Sequence, residues 1–83
     1  MNYAQGRIVI NLGDYDEQRV IESQQKTLDS QKDVENWIRE EYKNLPNTYR
    51  TFGRFKFFMR RVYDNYNESN WQRIFPEGVG GLN

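Results

Sequence analysis

The chain has 83 residues, 36% hydrophobic and 29% charged, with twelve basic and twelve acidic side chains that cancel; this is one domain, near the size at which a single core leaves a small stability margin and little room for an enclosed active site. It has no cysteine and no histidine, which removes disulfides, zinc-thiolate and iron–sulfur sites, thiol catalysis, and the side chain that titrates near neutral pH without help. Aromatic residues make up 16% and supply large groups to bury, so the chain reads as folded.

The first residues, MNYAQGR, contain no apolar leader, and no apolar run exceeds three residues, as in Ile8, Val9 and Ile10. Neither a signal peptide nor a membrane span is expected, which makes the cytoplasm the default setting. The sequon Asn67-Glu68-Ser69 carries no weight without secretion.

Residues 7–12, RIVINL, are short and β-branched and end at Gly13-Asp14, which predicts a strand. Its backbone groups need a partner. The preferred one is 19–28, RVIESQQKTL, joined through GDYDEQ as an antiparallel hairpin. The alternative is a helix over 16–28, opened by Asp14 and Glu17 and carrying Val20, Ile21 and Leu28 on a narrow face. Residues 31–45, QKDVENWIREEYKNL, place Val34, Trp37, Ile38, Tyr42 and Leu45 within an arc of about 140° at helical spacing. Asp29 or Ser30 caps this amphipathic helix, Asp33 and Glu35 lie near its positive end, Lys43 near its negative end, and Pro46 stops it.

The segment TFGRFKFFMRRVY, residues 51–63, holds five aromatic rings and four positive charges. As a strand both its faces would be mixed, a poor pattern for a core. As a helix over about 50–66, Phe52, Phe55, Phe58, Met59, Val62, Tyr63 and Tyr66 share an arc of about 140°. Phe57 is left out, projecting among Arg50, Arg54, Arg60 and Arg61 with Lys56 at the boundary. Further on, WQRIF at 71–75 puts Trp71, Ile74 and Phe75 on one side of a short helical turn that Pro76 ends. The fold expected is therefore α+β: a two-stranded antiparallel sheet, two amphipathic helices and a C-terminal helical turn, with an all-α bundle as the alternative. Residues 1–76 form the compact domain and 77–83 a flexible glycine-rich tail.

The composition argues against an enzyme. Ser23, Ser30 and Ser69, the three serines, have no histidine to activate them, and a shifted carboxylate or lysine would need more interior than this chain has. Asp14-Tyr15-Asp16-Glu17 with Glu22 lacks the ligand pattern of a calcium loop. Gly78-Val79-Gly80-Gly81 has no lysine after it and is not a phosphate loop. No metal or other cofactor is expected.

An aromatic ring among arginines has the composition of an interface hot spot. The expected partner-binding residues are therefore Phe57, Arg50, Arg54, Lys56, Arg60 and Arg61. The function expected is a non-catalytic, stoichiometric inhibitor or regulator of a protein or nucleoprotein partner, of the kind found in phages and mobile elements, among them anti-CRISPR inhibitors of host defence. The alternative is a small DNA- or RNA-binding protein using segment 50–61, which holds five cations and no acid. Charge divides accordingly: residues 1–48 carry six cations and nine anions, residues 49–83 six and three. Homodimerisation through the aromatic face is a further expectation.

Overall fold

The computed structural model describes residues 2–12, 18–23, 28–63 and 68–79. In chain order these form β1 (Tyr3–Asn11), β2 (Gln18–Glu22), α1 (Gln31–Lys43), α2 (Asn47–Phe52), β3 (Arg54–Val62) and β4 (Gln72–Ile74). The strands make one antiparallel sheet in the order β2-β1-β3-β4. The α+β class holds; the two-stranded sheet does not, because two further strands replace the helix expected over 50–66 and the helical turn expected over 71–75.

β1 is central, and its alternation sets the two sides of the sheet. Ala4, Gly6, Ile8 and Ile10 are buried on one side, while Tyr3, Gln5 and Arg7 are half-buried on the other. The long crossover through both helices brings β3 back along the free edge of β1, where Ile8 faces Phe57, Gly6 faces Met59 and Ile10 faces Phe55. Phe55, Phe57 and Met59 thus point the same way as Ile8 and Ile10 and join Val34 and Ile38 of α1 and Ile74 of β4 in the core. Phe55 and Phe57 stack with centroids 6.0 Å apart, and Tyr42 meets Phe55 edge-on at 5.0 Å.

α1 forms where the periodicity places it. The Ser30 hydroxyl accepts from the Asp33 N–H at 3.3 Å, Asp33 sits in the first turn and Lys43 in the last. Val34 and Ile38 are buried against the sheet. Contact is close because β1 has a glycine beneath the helix: a Cβ on Gly6 would lie 2.8 Å from the Trp37 ring and 3.0 Å from Val34 Cγ1. The Gly6 N–H, turned toward β2, donates to the buried Ser23 hydroxyl at 2.9 Å, and Ser23 N–H donates to the Gly6 carbonyl at 3.0 Å.

α2 covers only the start of the helix expected over 50–66. It ends at Gly53, where any Cβ would collide with the Tyr49 carbonyl and press on Ile10 Cγ2 at 2.9 Å, and from there the backbone is extended. The helical arc fails beyond this point for a physical reason. Aromatic residues suit a pleated, half-buried surface at least as well as a helix, and nine consecutive ladder pairs with β1 outweigh a local preference. The mixed strand faces that argued against a strand are what a one-sided sheet requires: Phe55, Phe57 and Met59 inward, Arg54, Lys56, Phe58 and Arg60 outward. The all-α alternative falls with β2, whose residues pair with Arg7–Asn11.

The expected latch is β4, and its residues divide between the two sides. Ile74 is buried in the core, whereas Phe75 is 76% exposed. Of the tail expected to be flexible, Val79 packs against the core, and Arg39 Nη1 donates to the Glu77 carbonyl at 3.3 Å. Residues 80–83 lie outside the described residues.

Candidate functional site

Both helices lie on one side of the sheet; among the described residues no helix or strand packs on its other side, the open face, where Val9 and Val62 are nonetheless buried. On β3 the outward residues are Arg54, Lys56, Phe58 and Arg60. Phe58 faces Arg7 across to β1 and Arg73 across to β4. A half-buried ring therefore sits at the centre of four cations, Lys56 and Arg60 along its strand and Arg7 and Arg73 beside it. The helical reading put Phe57 in that position. A strand moves it one residue, because the side-chain period is two.

The open face has two unlike ends. Toward the Tyr3 end of β1 the cations are engaged. Arg7 Nη2 pairs with Glu22 at 2.6 Å, and Arg60 Nη1 pairs with Glu68 at 2.6 Å. Arg60 Nε also donates to Gln5 Oε1 at 2.8 Å. Both guanidiniums lie over the half-buried Trp71 ring, at 4.0 and 4.5 Å from its centroid. The Trp71 ring meets both arginines across the sheet, where cation–π contact adds to the ion pairs.

Toward the Asn11 end the cations are available. Arg54 and Lys56 are exposed, and their side chains make no ion pair or hydrogen bond among the described residues. Arg73, level with Phe58 and Arg7 at mid-sheet but directed to the Asn11 side, lies 5.0 Å from the Phe75 ring and 5.9 Å from the Phe58 ring. Val20, opposite Val9 on β2, is 50% exposed. This end presents three cations, two phenyl rings and a valine.

The residues proposed from sequence separate accordingly. Arg54, Lys56 and Arg60 share the open face. Phe57 does not: it is 5% exposed, a core residue beneath the helices, and cannot serve as an exposed anchor. Arg50 belongs to α2 and hydrogen-bonds Asn47 Oδ1. Arg61 points toward the helix side at the end of the sheet, opposite Ala4, and its Nη1 donates to the Asp29 carbonyl at 3.3 Å. Sequence reasoning missed Phe58, Arg73, Phe75, Arg7 and Trp71. The signal was present as alternation, Arg54-x-Lys56-x-Phe58-x-Arg60 and Trp71-x-Arg73-x-Phe75, once a period of two is used.

Among the described residues no group of three or more acidic side chains could hold a metal ion. The acidic stretch 14–17 lies outside the described residues, and Glu22 is paired with Arg7. The three serine hydroxyls all bind backbone. Ser23 accepts from Gly6 N–H, Ser30 from Asp33 N–H, and Ser69 from Arg61 N–H at 2.8 Å. No helix of the described residues is long and apolar enough to cross a membrane.

Fold and face together define a small α+β protein whose sheet is covered by helices on one side and presents arginine, lysine and aromatic side chains on the other. Comparison with protein-family models, with curated proteins and with solved structures gives no match.

Proposed function

We propose that the protein is a non-catalytic binding module, a stoichiometric inhibitor or regulator that lays the open face of its sheet on a protein or nucleoprotein partner. The observation that carries this reading is the composition of that face. Arg54, Lys56 and Arg73 surround Phe58 and Phe75 with no carboxylate paired to them among the described residues. Aromatic and arginine side chains supply most of the energy of an interface, and unpaired cations steer an anionic partner toward it.

The test is affinity capture from the source-cell lysate, comparing wild type with the double variant Arg54→Glu/Lys56→Glu. Both positions are exposed, so the variant keeps its fold. Retention at a fixed ratio by the wild type and loss by the variant is the expected result. Identical profiles for the two proteins would exclude the open face as the site.

A further inference from the structure

Resting on this reading, we infer that the ligand of the open face is a single-stranded nucleic acid, bound at the Asn11 end, with phosphates along Arg54 and Lys56 and an unpaired base against Phe75 and Phe58 beside Arg73. Three features lead there. First, the charge of the described face is one-sided: five cations (Arg7, Arg54, Lys56, Arg60 and Arg73) stand against Glu22 and Glu68, and both carboxylates are already paired with Arg7 and Arg60. The surplus is therefore concentrated on Arg54, Lys56 and Arg73. Residues 13–17, with three carboxylates, and 64–67, with one, lie outside the described residues.

Second, the cations recur at strand spacing. Outward positions on β3 are about 7 Å apart, twice the rise per residue, so Arg54 and Lys56 form a row suited to a polymer with one negative charge per repeat. A folded acidic protein has no such obligatory repeat. Third, the rings are placed for stacking. Phe75 is 76% exposed, and the Arg73 guanidinium lies 5.0 and 5.9 Å from the Phe75 and Phe58 centroids. A planar cation near two rings on a cationic sheet offers surfaces for a base that is not already stacked in a duplex. Trp71 takes no part, since its half-buried ring already meets two guanidiniums, Arg7 and Arg60, whereas the exposed Phe75 ring meets only Arg73.

The experiment is fluorescence anisotropy of a labelled, mixed-sequence oligonucleotide of about 12 nucleotides, as single-stranded DNA, single-stranded RNA and duplex, titrated with the full chain at several salt concentrations. Single strands bind more tightly than duplex, and log K falls against log salt with a slope of about −1.4, the value for two neutralised phosphates on a single strand. Arg54→Glu/Lys56→Glu weakens binding at least about tenfold and flattens that slope. Phe75→Ala, at an exposed position that cannot unfold the core, weakens it about tenfold with the thermal midpoint in place.

No binding at low salt, equal affinity for duplex, or affinity indifferent to both variants would overturn the assignment. So would an acidic polypeptide such as polyglutamate binding as tightly with the same sensitivity to the variants. Loss of oligonucleotide binding as an explanation, with lysate capture still dependent on Arg54 and Lys56, would leave the binding-module reading standing and remove only its nucleic-acid ligand.

Discussion

Phe57 and Lys56 are neighbours in the chain with opposite consequences, because a strand sends them to opposite sides of the sheet. Phe57 lies beside Phe55 in the core. Phe57→Asp would bury a charge where a ring packs and should cost more than about 3 kcal/mol. That is a large part of the roughly 4–12 kcal/mol expected for a chain of this size, so a thermal melt should show a collapsed midpoint or no transition. Lys56→Asp, at an exposed position, should stay within about 0.5 kcal/mol of wild type in the same melt. Equal losses from the two substitutions would contradict the strand assignment. Ser23 is a subtler case. Its hydroxyl satisfies a buried amide at a position past the end of β2. Ser23→Ala should cost about 1–3 kcal/mol, with faster hydrogen exchange at the Gly6 amide as its local signature.

Between elements, α1 lies tightly on β1. Gly6 allows it by having no side chain, and Trp37 fills the space a Cβ would occupy. Gly6→Ala should therefore destabilise by about 1–3 kcal/mol through overpacking. Combining it with Trp37→Leu should cost less than the sum of the two single changes, a coupling that a denaturant-melt cycle can measure. A strictly additive result would show that helix and strand are further apart than described. The Ser30 cap acts on α1 alone, and Ser30→Ala should cost about 1 kcal/mol.

For the whole molecule, the sheet has two edges, β2 and β4, and β4 protects β3 only along Phe57–Met59. Removing residues 71–83 would delete β4, withdraw Ile74 and Val79 from the core and leave the nine-residue β3 with an open edge. Such an edge is a template for another chain. The truncated protein should melt earlier and show concentration-dependent association by light scattering, whereas the full chain at the same concentration should not. Association of both to the same degree would point to another face as the source.

Much was legible without the fold. The absence of histidine and cysteine, the capped amphipathic helix ended by Pro46, and the strand around RIVIN rest on local chemistry: side-chain inventory, capping and the periodicity of short segments. The basic, aromatic character of 50–61 was legible too. What that character means was not, because Phe55, Phe58 and Met59 fit an arc of a helix while Phe55, Phe57 and Met59 fit the alternation of a strand, and local preference is too weak to choose. The choice was made by β1, more than forty residues earlier in the chain, whose unpaired edge offered nine ladder positions. That single pairing took Phe57 into the core, brought Phe58 to the centre of the open face, and aligned Arg7 and Arg73 beside it. Composition by itself determined that aromatic and cationic side chains had to be divided between a core and a surface. Only the tertiary structure decided which residues form it, because cross-strand register is set by distant partners that no local window of sequence contains.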